Sequence, residues 1–83
     1  MLRVFVSGPY SSAPEANTNR AIDVAESLRR AGLAPFVPHL FREWQERHQN
    51  PYEDVMRMCL AWVGACHALL RIPGHSPGAD REI

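Results

Sequence analysis

Residues 68–83 of the chain read ALLRIPGHSPGADREI, and they give the strongest indication of the fold. Its first five residues form an apolar run typical of a buried strand, and a loop rich in glycine, proline and serine follows. Ser76 before Pro77 is the pattern of a helix N-cap followed by a proline at the first helical position. A strand, a loop and a helix in this order build ligand sites at the carboxyl edge of open α/β sheets, so Glu82 is predicted to lie at such an edge.

The rest of the chain repeats the alternation of strands and helices. Periodicity and breaker residues predict strands over 2–7, 34–38 and 67–72 and helices over 14–31 and from Pro51 to Cys66, with a lid or a short helix over 40–50. With right-handed crossovers, the order β-α-β-α-β and the start of a further helix predict a three-layer α/β/α sandwich around a short parallel sheet, flavodoxin-like or Rossmann-like. The third strand is apolar enough that both of its faces are expected to be covered.

The composition favours one small domain, residues 1–83, without a strongly charged surface. Nine basic residues, all arginine, balance nine acidic ones, so neither nucleic acid nor a membrane surface is expected to bind through bulk charge. The absence of lysine excludes the Walker-type phosphate loop and Schiff-base chemistry. Because a chain this short buries a limited share of its surface, a homo-oligomer is expected.

Several other classes of protein and site are excluded by missing patterns. No secretory leader and no long apolar stretch are present, so a cytoplasmic location is expected, with Cys59 and Cys66 as reduced, buried thiols. Neither a metal nor a cofactor is expected, because no CxxC, HxxxH or HExxH spacing occurs. Residues 74–78 read GHSPG and match the nucleophile elbow of hydrolases in letters only, since Pro77 lacks the N–H that the oxyanion hole needs.

The loops after the three strands are predicted to meet in one pocket, because the carboxyl ends of parallel strands share an edge. The candidate binding residues are Gly8, Pro9, His39, Ser76 and Gly78, and the candidate catalytic residues are Tyr10 and Glu82. Most of them also have a plainer interpretation: Gly8-Pro9 as a turn, Tyr10 as a rim aromatic, Ser76 as an N-cap and Glu82 as first-turn charge. Placed about one turn into its helix, Glu82 is expected to be held ionised by the helix dipole and nearby amides.

Four segments together resemble the nucleoside 2-deoxyribosyltransferase-like superfamily, above all its small phage and bacterial members of unassigned function. They are VFVSGPY at 4–10, the helix over 17–28, PFVPH at 35–39 and the spacing Ser76-x-Gly78-x-x-x-Glu82. The resemblance spans essentially the whole chain. It implies an enzyme that cleaves or transfers at the N-glycosidic bond of a (deoxy)nucleoside or nucleotide, with Glu82 as the nucleophile at the anomeric carbon.

The same resemblance implies roles for two more residues and marks three departures. It implies that Tyr10 contacts the sugar or base and that Ser76 binds a 5′-hydroxyl or 5′-phosphate. Cys59 stands where the family usually has an Asp that helps to hold the sugar and nucleophile, and His67 where a second Asp usually opens the third strand. Family members also continue past the glutamate through a helix and a strand, so the chain is expected to be truncated or completed by a partner.

These departures leave two other interpretations open in addition to an enzyme. One is a nucleotide-binding module without catalysis, and the other is an inactive fragment that self-associates to cover its sheet edges.

Overall fold

The computed structural model describes residues 1–83 and contains three strands, four α-helices and one 3₁₀ turn. The elements follow in the order β1 (Arg3–Ser7), α1 (Pro14–Arg30), β2 (Ala34–Phe36), the 3₁₀ turn (Pro38–Phe41), α2 (Arg42–His48), α3 (Tyr52–Ala65), β3 (Ala68–Arg71) and α4 (Pro77–Arg81). The prediction of an α/β fold built on a short parallel sheet is confirmed.

The central strand of the sheet is β1, in the order β2-β1-β3, and both pairings are parallel. Phe5 is paired with Phe36 on one side and with Leu69 on the other. The chain leaves β1 towards one edge and later crosses to the other, so the strand order reverses beyond the carboxyl end of β1. Open α/β sheets bind ligands at such a reversal, and here it lies directly after Ser7.

The apolar layer on the α1 side is centred on β1. Val6 is fully buried and packs with Ala21 of α1, with Val37 after β2 and with Ile72 after β3. Each of these residues follows or belongs to a different element, so this cluster ties the ends of all three strands together. Its burial of apolar surface is the main source of stability on this side.

The layer on the α3 side is aromatic. Phe5 stacks on Phe36 with 5.6 Å between ring centroids, and Phe36 stacks on Trp62 of α3 at 4.7 Å. Successive side chains of a strand point to opposite faces, so Ser7 shares this face with Phe5. The fold therefore turns the Ser7 hydroxyl towards α3 and α4.

The structure corrects three details of the sequence-based predictions. The second long helix begins at Tyr52, and Pro51 is its N-cap rather than its first residue. Residues 38–48 are helical, with a 3₁₀ turn leading into α2, which agrees with the short-helix alternative. β3 is not covered on both faces: Ala68 is exposed and the other three residues are half-buried, because α1 and α3 pack mainly over β1 and β2. Cys66 is also only half-buried, since it lies beyond the end of α3.

A glycine at the end of β1 is required by packing, and its replacement is expected to destabilise the fold. A Cβ at Gly8 would lie 2.9 Å from Cβ of Ile72, which is buried, so Gly8→Ala is expected to cost about 1–3 kcal/mol. The matched control is Gly64→Ala in α3, where the added Cβ meets nothing within 4 Å and is expected to stabilise the helix by up to about 1 kcal/mol. Urea denaturation measures the change in the free energy of unfolding of each variant. An equal change in both variants would contradict this packing.

Candidate functional site

A pocket of about 510 Å³ lies at the carboxyl edge of the sheet. Four parts of the chain enclose it: the loop after β1, the 3₁₀ turn with α2, one face of α3, and the segment 76–82. Its lining includes Gly8, Tyr10, Ser11, Pro38, His39, Phe41, Arg42, Gln45, Asn50, Tyr52, Val55, Met56, Cys59, Ser76, Pro77, Gly78, Ala79 and Glu82. The volume falls within the range of small-molecule sites.

The carboxyl group of Glu82 is buried in this pocket, with only 8% of the residue exposed. Ser7, which is fully buried, donates a hydrogen bond from Oγ to Glu82 Oε1 at 2.6 Å. The thiol of Cys59 on α3 lines the same pocket and influences the pKa of this carboxyl group. The hydrogen bond from Ser7 in β1 fixes the orientation of the carboxyl group.

The environment of Glu82 raises its pKa above the usual value of 4.5, and burial is the main cause. The hydrogen bonds from Ser7 and Cys59 and the positive charge of Arg71 oppose this rise. The prediction that the helix dipole holds Glu82 ionised is wrong. α4 ends at Arg81, so Glu82 is the C-cap of a five-residue helix and lies at the negative end of its dipole.

Cys59 is neutral in the site. Burial, then the charge of Glu82 and the hydrogen bond to it, raise the pKa of the Cys59 thiol to about 11. A thiol in this state is a hydrogen-bond donor and a poor nucleophile. Cys59 therefore supports the carboxyl group of Glu82 as a neutral partner.

His39 joins the first two loops of the pocket. Its Nε2 lies 2.9 Å from the carbonyl oxygen of Pro9, which fixes Nε2 as the protonated nitrogen of a neutral ring. Burial lowers the pKa of His39, and the carbonyl groups of Pro9 and Gly8 only partly offset this effect. Nδ1 is buried and has no partner, so protonation of the ring would leave a buried N–H unsatisfied.

The predicted site residues are nearly all brought together. Gly8, Tyr10, His39, Ser76, Gly78 and Glu82 line the pocket, whereas Pro9 contributes only its carbonyl group to His39. The ring of Tyr10 stands edge-on to that of His39 at 6.1 Å, on the rim. Ser76 is the N-cap of α4, with its Oγ 3.2 Å from the amide nitrogen of Ala79, and this confirms its structural interpretation.

Gly78 allows α4 to approach α3 closely. A Cβ there would lie 3.1 Å from the hydroxyl group of Tyr52. Larger side chains at this position would push Tyr52 aside, and Tyr52 is part of the pocket wall.

Sequence reasoning missed Ser7 as a site residue. A polar residue that ends an apolar strand was the available signal for Ser7. His67 precedes β3 and so lies at the amino edge of the sheet, where its Nδ1 accepts a hydrogen bond from the Arg3 backbone N–H at 2.9 Å. An acidic residue at 67 would thus face the edge opposite the pocket.

The structure contains neither a side-chain cluster of the metal-binding kind nor a helix of the membrane-spanning kind. No three His, Cys, Asp or Glu side chains come together in a group suited to a metal ion. None of the helices combines the length and the apolar character that a membrane span requires.

Fold and pocket together define a small α/β domain with a ligand-type cavity at the switch point of a parallel sheet. Within that class, the chain belongs to a family described as a domain of unknown function, DUF7768, whose pattern matches residues 2–83. No curated protein and no solved structure matches the chain.

The raised pKa of Glu82 predicts how Glu82→Gln changes stability with pH. The folded chain holds the Glu82 proton more tightly than the unfolded chain does, so the native protein loses stability as the pH rises from below the unfolded pKa through the folded one. Glu82→Gln lacks this loss. The free energy of unfolding of the variant, relative to that of the native protein, is expected to increase as the pH rises above 4.5, the usual pKa of the carboxyl group.

Glu26→Gln is the matched control, measured by urea denaturation at the same pH values. Glu26 is exposed on α1, and its hydrogen bond from Arg29 is the main reason why its pKa is lowered. Its stabilising effect is lost as the pH falls, so the relative stability of Glu26→Gln is expected to decrease slightly with rising pH. If the relative stabilities of the two variants change with pH in the same direction, the burial of Glu82 is contradicted.

Proposed function

We propose that the protein cleaves or transfers at the N-glycosidic bond of a (deoxy)nucleoside or nucleotide through Glu82. The observation that carries the proposal is the Glu82 carboxyl group, buried in the pocket and held by Ser7 Oγ at 2.6 Å. A carboxylate in a fixed orientation inside a cavity of small-molecule size suits attack on an oxocarbenium-like carbon. The resemblance to nucleoside 2-deoxyribosyltransferases supports the same role for Glu82.

In the proposed reaction a carboxylate oxygen of Glu82 bonds to the anomeric carbon as the bond from that carbon to the base nitrogen breaks. The electron pair of the broken bond goes to the base, which takes up a proton. A second base or a water molecule then attacks the same carbon and loses a proton, and the bond to Glu82 breaks. The carboxylate is restored, so no metal and no cofactor takes part.

Cys59 has a defined place in this proposal. The resemblance implies an Asp at this position that supports the nucleophile, and Cys59 lines the pocket with Glu82 and opposes the rise of its pKa. The thiol is neutral, so it adds no second negative charge beside Glu82. A nucleophile with this support stays closer to its ionised form than burial alone would allow.

The pocket wall also suits a nucleoside. Tyr10, Phe41 and Tyr52 supply aromatic surface for a base, and the hydroxyl groups of Tyr10 and Tyr52 supply polar contacts for a sugar. We propose Tyr10, at the rim, as the residue that contacts the sugar or base. Gly8, Gly78 and Ser76 complete the proposed binding site.

Three further statements belong to the proposal. The partner is a small molecule, the protein is cytoplasmic, and it forms a homo-oligomer. Two free thiols favour a reducing compartment. The half-exposed Trp44 and Trp62 and the open edges of a three-stranded sheet favour self-association.

A binding module without catalysis is the second candidate, and the burial of Glu82 favours it. Burial shifts the carboxyl group towards its protonated form, and that form binds a ligand by hydrogen bonds but does not attack carbon. Calorimetry with a nucleoside separates the two functions, because a module binds without releasing base.

Base exchange tests the enzymatic proposal directly. The protein is incubated with a deoxynucleoside and a second free base, and the products are followed by chromatography. Glu82→Gln is expected to lower the rate by about a thousandfold or more, while Glu26→Gln outside the pocket leaves it unchanged. Because the nucleophile must be ionised, kcat/KM is expected to fall as the pH drops through the raised pKa of Glu82.

Two outcomes would contradict this proposal. Turnover that is unchanged in Glu82→Gln would remove Glu82 from the reaction. A rate that falls with rising pH over the same range would assign Glu82 the role of a general acid instead of a nucleophile.

A further inference from the structure

Glu82 follows a helix that is too short to hold it in place. α4 has five residues, and a helix of this length has no stability of its own in water. The N-cap hydrogen bond between Ser76 and the Ala79 amide fixes only its first turn. Contacts from other elements must therefore hold the segment that carries Glu82.

Arg71, the last residue of β3, makes one set of these contacts. Its guanidinium group donates to the carbonyl oxygens of Ile72 and Gly74, the latter at 2.8 Å, and to Asp80 Oδ1 at 3.1 Å. Arg71 thus binds both the loop that leads into α4 and α4 itself.

The sheet register places Arg71 beside the residue that binds Glu82. Arg71 is paired with Ser7 across β1 and β3, so both side chains point to the same face of the sheet. Ser7 reaches Glu82, and Arg71 reaches Asp80 two residues earlier. The carboxyl edge of the sheet therefore binds this segment at two neighbouring points.

Burial of the Arg71 guanidinium group is unfavourable, and strand pairing does not require an arginine at this position. The side chain is only 20% exposed, and its Nε is buried without a hydrogen-bond partner. An apolar side chain on an edge strand would avoid this desolvation. The contacts of the guanidinium group with the loop after β3 and with α4 account for an arginine at this position.

Arg81 holds the same segment from the other side. Its two terminal nitrogens bind the two carboxylate oxygens of Glu53 on α3 at 2.8 and 3.1 Å. Its guanidinium group also lies over the ring of Tyr52, 5.6 Å from the centroid. Asp80 and Arg81, the two residues before Glu82, are thus held by β3 and by α3.

We infer that Arg71 and Arg81 are positioning residues that hold the Glu82 carboxyl group in the pocket. The effect on turnover rests on the proposed function, whereas the effect on Glu82 itself concerns the folded protein alone. The polar groups around Glu82 are Ser7 from β1, Cys59 from α3 and Arg71 from β3. The neighbouring carboxylates of Asp80 and Glu53 are paired with Arg71 and Arg81.

The test compares Arg71→Met, Arg71→Lys and a control, Arg29→Met, whose side chain pairs with Glu26 on the surface of α1. Titration of the ¹³C-labelled Glu82 carboxyl group by NMR, assigned with Glu82→Gln, reports its protonation, and base exchange reports kcat and KM. Arg71→Met is expected to raise the Glu82 pKa further, because an opposing positive charge is lost. It is also expected to lower kcat by about tenfold to a hundredfold with a smaller change in KM.

Arg71→Lys separates charge from geometry. It keeps the positive charge but loses the fork of donors, so the Glu82 pKa is expected to stay closer to that of the native protein while kcat still falls. Arg29→Met is expected to change neither quantity. An Arg71→Met protein with an unchanged Glu82 titration and with kcat within about twofold of native would overturn the inference.

If Arg71→Met does not fold, variants of the exposed ion-pair partners of Arg71 and Arg81 test the inference instead. Asp80→Asn and Glu53→Gln each remove one of the two ion pairs from a mostly exposed position. A variant with a native circular dichroism spectrum and a lower kcat supports the inference. An unchanged kcat in both variants overturns it. Without base exchange in the native protein the proposed function fails, and the NMR titration of Glu82 still tests the positioning.

Discussion

The hydrogen bond from Ser7 Oγ to Glu82 Oε1 is the contact on which the site depends. It joins the carboxyl end of the central strand to the residue that follows α4, at 2.6 Å and in a buried environment. A buried carboxyl group without such a donor would be strongly destabilising. This contact joins the segment 76–82, which forms one wall of the pocket, to the end of the sheet.

Burial and hydrogen bonding act on Glu82 in opposite directions, and their balance sets its chemistry. Burial favours the protonated acid, while Ser7, Cys59 and the charge of Arg71 favour the carboxylate. Residues that belong to three different elements therefore tune one group. In such an arrangement small displacements of α4 shift the pKa of Glu82 as well as its position.

Much of the fold follows from local sequence signals, and the site follows only in part. Ser76-Pro77 marks the start of α4 because an N-cap and its proline are local features. The partnership of Ser7 and Glu82 joins residues 75 positions apart, so it depends on the sheet register and on the packing of α4. The upward shift of the Glu82 pKa could not be predicted either, since α4 ends at Arg81 and burial is the largest influence on the carboxyl group.

The proposed reaction forms a bond between Glu82 and a sugar, and trapping of that bond would show it. A nucleoside with fluorine at the 2-position of the sugar slows breakdown of a glycosyl-enzyme, because fluorine destabilises the oxocarbenium-like transition state. After incubation, digestion and mass spectrometry, a fluorinated pentosyl group is expected on Glu82. Release of base with Glu82 unmodified, or a sugar attached to another residue, would contradict it.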